Sequence, residues 1–406
     1  MTTSPDDLVI ELKRIKMTGF RSLRDVELEP GRITVLIGAN GAGKTNLLAA
    51  LRMLPLMRTQ SLRRFVAGSG GASTLLHYGP KVTPELTLRL EFAQGTGTNA
   101  YTARLGHTAG DALVYNDEIV ESHPNPNQPA IHQSLGVGHG ESLISDNVNS
   151  LMKMGAFKTG LGNLPLPADP DTRNAIADAI QRVHRGIARM SFFHFHDTSS
   201  TSPLRQNSRQ SEDQYLRSDG SNLATYLFRL ANSDAPDDVA AWKRVGMLLR
   251  RVAPYIKRID PALVDLAHPD RSAIRIGWID ENDHRFDVSD LSDGTLRALA
   301  LITALSQPVA RLPRFLSIDE PELGLHPAAI TLLAGLVRSI APRCQVLLAT
   351  QSPALLDHFE PEEVVVAERA NGETSFRRLD REALATWLEE YSLSELFDKN
   401  VLGGRP

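Results

Sequence analysis

Gly38-Ala39-Asn40-Gly41-Ala42-Gly43-Lys44-Thr45 fits G-x-x-x-x-G-K-[ST], the pattern of a phosphate-binding P-loop. A short apolar run of buried-strand type, Ile33-Thr34-Val35-Leu36-Ile37, leads into it. A good helix former, Asn46-Leu47-Leu48-Ala49-Ala50-Leu51, follows it. Strand, glycine loop and helix together separate a working P-loop from a chance glycine-rich turn. The glycines let the backbone approach a polyphosphate and turn its N–H groups inward, beside the positive end of the helix dipole. Lys44 is then placed to reach the β- and γ-phosphates, and Thr45 to ligate Mg²⁺. The stretch predicts binding of a nucleoside triphosphate.

Further along, Arg314-Phe315-Leu316-Ser317-Ile318-Asp319-Glu320 is an apolar strand ending in two carboxylates. In P-loop enzymes this is the Walker B position, where Asp319 would bind Mg²⁺ directly or through water. Glu320 would polarise the attacking water as general base. Shortly before that strand, Leu291-Ser292-Asp293-Gly294-Thr295-Leu296-Arg297 opens a helix predicted over Leu296–Leu305. Ser292 and the N–H groups near Gly294 then point toward an anion, although a plain N-cap role for Ser292 or Asp293 fits equally. The pattern L-S-x-G-x-x-R is the signature of ABC-type ATPases, and its order and spacing speak against AAA+, kinase-like and GTPase P-loop classes.

On these residues the chain resembles the ABC-type ATPase heads of the RecF, SMC and OLD group, and more closely compact bacterial ATPases with a head and little else. Gly19-Phe20-Arg21-Ser22-Leu23, the segment Ser317–Pro327, and Ala349-Thr350-Gln351-Ser352-Pro353-Ala354-Leu355-Leu356-Asp357 complete the match. It covers residues 8–60 and 285–360 well and the middle poorly. The resemblance implies an α/β fold: a P-loop ABC-type head with an antiparallel β lobe and an inserted, mostly helical lobe. It also implies ATP and Mg²⁺ as cofactors and a homodimer with ATP sandwiched between two heads. Lys44, Thr45 and Asp319 of one subunit would face Ser292 and Gly294 of the other, and Glu322–His326 would cross the interface. Arg21, Asn40, Gly41, Gly43 and Asn46 join the nucleotide-binding set, with Glu320 and Gln351 catalytic. Transport-type relatives carry His where this chain has Gln351. Glutamine can donate to the γ-phosphate but cannot carry positive charge, which points to a slow, switch-like ATPase. A Q-loop glutamine is left unassigned, because Gln60 and Gln94 are both oddly placed for it.

With 406 residues, 42% hydrophobic and 23% charged, the chain is of ordinary globular composition and long enough for two or three domains. A net charge of −4 exerts no global pull toward nucleic acid or anionic lipid, so any such surface is local. No apolar run suits a membrane span, and the N-terminal residues lack the features of a secretion signal. With Cys344 as the one cysteine, the expectation is a cytoplasmic, disulfide-free protein without a membrane partner.

Around the motifs, strands are expected at Leu8–Leu12, Arg14–Met17 and Val26–Leu28, with Gly19–Leu23 a loop. Gly68–Gly71 marks a flexible connection, and Leu86–Phe92, Tyr101–Leu105 and Ala112–Tyr115 read as an antiparallel meander. Pro124, Pro126, Pro129 and the glycines near 136–140 mark a loop-rich stretch. Asp171–Met190 is amphipathic at helical spacing, with Ile176, Ile180, Val183 and Ile187 on one face. Phe192–His196 suggests a short strand, Thr198–Arg217 a polar loop, and Asn222–Leu230 and Val239–Val252 helices. Asp219–Asn222 reads as a turn and N-cap. Strand character returns at Arg271–Trp278, after which strands and helices alternate as in a parallel sheet. The tail is expected to hold a hairpin around Asn371-Gly372 and one helix over Glu382–Phe397. The division predicted is a head of 1–121 and 270–406 and an inserted lobe of 122–269.

His194 and His196 share one face of the expected strand. With no further His or Cys cluster nearby in sequence, the preferred reading turns Phe193 and Phe195 into a core and the histidines outward, without a metal. Arg182, Arg185, Arg189, Arg205, Arg209 and Arg217 make the middle locally basic, as a phosphate-binding face or simply a solvated one. The stretch after Gln351 is too short for a Toprim nuclease domain, so any cutting is expected from an effector in trans, a nuclease or toxin.

The functional expectation is an ATP-hydrolysing switch, dimerising on ATP and acting on or sensing DNA in genome maintenance or phage defence. A rival from another class is a regulatory dimer that holds or releases an effector protein without nucleic acid. The Phe20-Arg21-Ser22 loop, the central insertion and Gln351 argue against a transporter subunit.

Overall fold

The computed structural model describes residues 10–94, 97–123, 130–144, 169–211, 213–264 and 273–405. Leu8, Val9, Pro124, Pro126, Pro129, Arg271, Ser272 and the side chain of Gln94 lie outside these residues. The strands of the N-terminal part are β1 (Glu11–Phe20), β2 (Leu23–Leu28), β3 (Ile33–Ile37), β4 (Glu85–Gln94), β5 (Gly97–His107), β6 (Leu113–His123) and β7 (Ile131–Gly136). The middle contributes β8 (Met190–Phe193), β9 (Ser208–Arg209), β10 (Ile256–Val264), β11 (Ala273–Asp280) and β12 (Arg285–Asp287). β13 (Phe315–Asp319), β14 (Gln345–Thr350), β15 (Val364–Ala370) and β16 (Glu373–Arg378) follow.

Three sheets result. An antiparallel sheet runs β2-β1-β4-β5-β6-β7, and a second runs β16-β15-β3-β14-β13-β8, parallel apart from the β15–β16 hairpin. A third antiparallel sheet pairs β11 with β10, β12 and β9. The parallel sheet is apolar on both faces, as its unbroken hydrophobic strands require. Ile33, Val35 and Ile37 of β3 join Leu316, Ile318, Val346 and Leu348 in one core, beneath the helix Asp293–Leu305. Leu36, Phe315, Leu347 and Ala349 turn to the other core with Leu47, Leu48 and Leu51 of the P-loop helix. Gln345, 2% exposed, ties the two large sheets together: its Oε1 accepts from the Leu12 N–H at 2.7 Å and its Nε2 donates to the Leu12 carbonyl at 2.9 Å.

Several expectations shift in detail. The loop expected over Gly19–Leu23 shrinks to a two-residue turn, because Phe20 and Leu23, both fully buried, pair across β1 and β2. Between Arg58 and Leu76 the chain forms helices Leu62–Gly68 and Ala72–Leu75 around Gly68–Gly71, which carried too few periodic residues to read as helical. The C-terminal helix is broken into Arg381–Leu388 and Leu393–Asp398, the second started by a capping box from Ser392 and Glu395. Asn222 begins the helix Leu223–Asn232 but does not cap it; its side chain reaches back to the Arg217 N–H and the Tyr215 carbonyl. Within 122–269, helices Pro170–Ala188, Leu223–Asn232 and Pro236–Val252 accompany strands that pair outside that span, β8 with β13 and β10 with β11.

Candidate functional site

β3 delivers the chain into the P-loop at the C-terminal end of the parallel sheet, where parallel sheets place ligands. Gly41 and Gly43 take left-handed backbone with φ of 79° and 107°. A side chain at Gly38 would overlap the Ala367 carbonyl of β15, and one at Gly43 would overlap Thr374 of β16. Nothing lies within 4 Å of the Cβ position at Gly41. The loop is therefore backed by the β15–β16 hairpin and open at Gly41. Lys44 is buried, and its Nζ donates to the carbonyls of Gly38 at 2.5 Å and Ala39 at 3.0 Å. Burial lowers its pKa, against the opposing pull of Glu320, Asp319 and Glu322. Asn40 and Thr45 beside it are not buried.

The Gly19–Leu23 turn locks onto this loop. Asn46 Nδ2 donates to Ser22 Oγ at 2.7 Å, Ser22 Oγ lies 2.7 Å from Thr374 Oγ1, and Thr374 Oγ1 donates to the Ala42 carbonyl at 2.9 Å. Arg21 sits at φ 48° with its carbonyl 2.5 Å from His77 Nδ1, and burial lowers its pKa. It borders a cleft of about 250 Å³ shared with Asn46, His77, Tyr78 and Arg369.

β13 presents Asp319, 5% exposed, with its pKa raised by burial against the opposing charges of His196, Arg52 and Lys44. Glu320 follows at φ 42°, its N–H donating to the Ala349 carbonyl of β14 at 2.7 Å. Gln351, just past β14, donates from Nε2 to Glu320 Oε1. Glu322 is buried with its pKa raised by burial; Thr350 Oγ1 donates to its Oε1 at 2.5 Å, and its Oε2 has no hydrogen-bond partner among the described residues. The open face at Gly41, Thr45 at the loop's end and the carboxylates of Asp319 and Glu320 suit a triphosphate with a hard, oxygen-seeking cation.

Ser292 caps the helix Asp293–Leu305, its Oγ accepting from the Thr295 N–H at 3.2 Å. A Cβ on Gly294 would stand 2.6 Å from the Gly324 carbonyl, so the signature turn packs directly on Glu322–His326. Arg297 joins three segments: Nε donates to the Phe195 carbonyl at 2.9 Å, Nη2 to that of His196 at 2.7 Å, and Nη1 to that of Leu323. Arg205 holds the signature from the other side, donating to the carbonyls of Val288 at 2.6 Å and Leu291 at 3.0 Å. Arg189 likewise donates to the Leu312 carbonyl at 2.8 Å, so these two arginines serve the fold.

Lys44, Asp319, Glu320 and Gln351 converge, while Gly294 packs on Gly324 in the segment after Glu320 and Ser292 caps its own helix. The histidine pair is where sequence reasoning fell short. β8 ends at Phe193 at the edge of the parallel sheet, separated from β3 and the nucleotide loop by β14 and β13, and His194 and His196 turn toward β13. His196 Nε2 donates to the Asp319 carbonyl at 2.9 Å, and His194 Nδ1 stands 3.8 Å from Asp319 Oδ2. Burial, helped by His196 and Arg52, pushes the His194 pKa down to about 4. The alternating His-Phe-His pattern was visible; its partner, 123 residues on from His196, was not. Arg52 and Tyr78 also border the site without a motif to mark them.

The family described as "AAA domain, putative AbiEii toxin, Type IV TA system" matches residues 136–357, and one described as "AAA domain" matches 14–149. The DNA replication and repair protein RecF of Pseudomonas savastanoi pv. phaseolicola is 36% identical over 98 residues, 23% of this chain and 24% of that protein. The OLD nuclease of Thermus scotoductus is 43% identical over 54 residues, 13% of this chain and 10% of that protein. The chain thus matches a quarter or less of the length of these curated relatives. An Smc head bound to the C-winged helix domain of ScpA superposes with a TM-score of 0.53 at 13% identity, over 92% of this chain and 99% of that one. The Pyrococcus furiosus Smc head with an extended coiled coil, bound to the C-terminal domain of ScpA, gives 0.51 at 13% identity, over 94% and 99%. These two share the fold. From its P-loop, its fold and the family match over more than half its length, the chain belongs to the AAA-domain family so described, as an ABC-type ATPase head distantly related to RecF, OLD nuclease and SMC heads.

Proposed function

We propose that this head is an ATP-hydrolysing switch that pairs with a second copy around ATP and acts on or senses DNA, with an effector supplied in trans. The observation that carries the reading is the contact of Gln351 with Glu320 beside Asp319, within electrostatic reach of Lys44. In it Lys44 and the Gly41 and Gly43 backbone hold the phosphates, Asn40 and Asn46 flank them, and Thr45 and Asp319 hold Mg²⁺, which would neutralise charge on the phosphates. Glu320 takes the proton of the attacking water, and Gln351 orients that carboxylate and senses the γ-phosphate. Arg21 lines the cleft of about 250 Å³ that extends from Asn46 and would take the rest of the nucleotide. Ser292 and Gly294 would contact the partner copy's ATP. In this reading the head of 1–121 and 270–406 does the nucleotide chemistry, and the segment 122–269 inserted in it also adds β7, β8 and β10 to the head's sheets.

DNA enters from RecF, a replication and repair protein by name, and a defence role from the toxin–antitoxin wording of the family description. Steady-state ATPase rates with and without linear double-stranded DNA, at low and moderate salt, with Glu320→Gln as the blank, test the reading. Stimulation that fades with salt is expected. A rate abolished by Glu320→Gln yet indifferent to DNA would instead favour the dimer that holds an effector protein without nucleic acid. No rate above the Glu320→Gln blank would overturn both.

A further inference from the structure

The sheet topology assembles a cluster that nucleotide hydrolysis as described above leaves largely unused. β8 and β13 are parallel neighbours, so His194 and His196, just beyond β8, arrive beside Asp319 at the end of β13. The imidazole centroids are 4.0 Å apart with the rings inclined by 34°. One ring nitrogen from each histidine and one Asp319 carboxylate oxygen all lie within 4.8 Å of one another. At 3.8 Å, His194 Nδ1 is too far from Asp319 Oδ2 for a hydrogen bond, and it is buried without a partner among the described residues. An orphaned buried nitrogen aimed at a carboxylate requires a reason. The bond from His196 Nε2 to the Asp319 carbonyl is of the type that fixes a ligating imidazole's tautomer and leaves the other nitrogen its lone pair. A cleft of about 460 Å³, bordered by Arg52, Phe65, Phe192 and Leu216, opens at His194 and supplies a path from solvent.

We propose that His194, His196 and Asp319 form a binding site for a divalent transition-metal ion such as Zn²⁺, Co²⁺ or Mn²⁺, with water completing its coordination. Two imidazoles and a carboxylate suit such ions, whereas Mg²⁺ favours an all-oxygen shell. The site shares Asp319 with the Mg²⁺–triphosphate position but needs no nucleotide. Arg52 acts on both His194 and Asp319, and its charge opposes an added cation. The ion would couple the segment Phe195–His196, which Arg297 holds to the signature helix, to the strand that ends in Asp319.

The experiment titrates the full-length chain, freed of metal by chelator and without nucleotide, with Co²⁺ followed by visible absorption and with Zn²⁺ by competition. One ion per chain is expected. His194→Ala and His196→Ala should each weaken binding at least ~tenfold, Arg52→Met should tighten it, and Thr45→Ala should leave it unchanged. Circular dichroism checks each variant's fold, and His194→Gln and His196→Gln, closer in size, replace any alanine variant that misfolds. Equal Co²⁺ affinity and spectrum in the double histidine variant, loss in Thr45→Ala instead, or no binding to the folded wild type would each overturn the site. Because ATP is absent throughout, failure here is distinct from failure of the ATPase reading.

Discussion

Glu320 adopts a backbone conformation that a residue with a side chain reaches at a penalty of about 1–2 kcal/mol, and it does so between the Ala349 carbonyl and the Gln351 amide. Strain kept at one carboxylate beside Asp319 is consistent with a group positioned for chemistry. Glu320→Gln should lower phosphate release by ~100-fold or more while equilibrium ATP binding persists. Lys44→Ala should lose binding itself, since no other buried cation of the loop replaces the one that Gly38 and Ala39 position. If the neutral side chain at Gln351 slows turnover, Gln351→His should speed it several-fold, because a charged donor gains about 1 kcal/mol over a neutral one. Phosphate-release kinetics check this, and an unchanged rate would count against the slow-switch account. At this scale the sequence was informative where a motif has fixed spacing, as from Gly38 to Thr45. It was silent on Arg52, Tyr78 and the histidine–aspartate cluster, whose members meet only through strand pairing.

At the scale of elements, the two large sheets are fastened at Gln345, whose amide satisfies both backbone groups of Leu12. Removing it leaves a buried N–H and C=O unpaired, so Gln345→Ala should lower stability by about 1–3 kcal/mol in urea unfolding. The signature turn rests on the Gly324 carbonyl, and Gly294→Ala would push that segment aside. Strands were legible where apolar residues run unbroken, as in β3, β13 and β14, or alternate, as in β4 and β5. Boundaries blurred where tertiary pairing extended a strand, as in β1 reaching Phe20, or where caps split a helix, as at Ser392. β8 looked longer than it is because Phe195 is buried for packing against Phe193 and Leu204, not for sheet pairing.

For the whole molecule, the middle of the chain carried no motif and its architecture was the least legible. Its strands pair with partners far along the sequence, as β8 does with β13, and such pairings leave no local signature. Among the described residues no helix is long and apolar enough to cross a membrane. The parallel sheet gathers the P-loop, Asp319 and Gln351 at one end, while the signature turn stands beside them on Glu322–His326. If ATP is shared between two heads, occupancy and association are one event. Light-scattering mass of the Glu320→Gln protein, with Mg²⁺–ATP and then Mg²⁺–ADP, measures this most directly. The account predicts a mass in ATP twice that in ADP, lost on adding Ser292→Arg. The same mass in both nucleotides, with ATP shown to be bound, would contradict it.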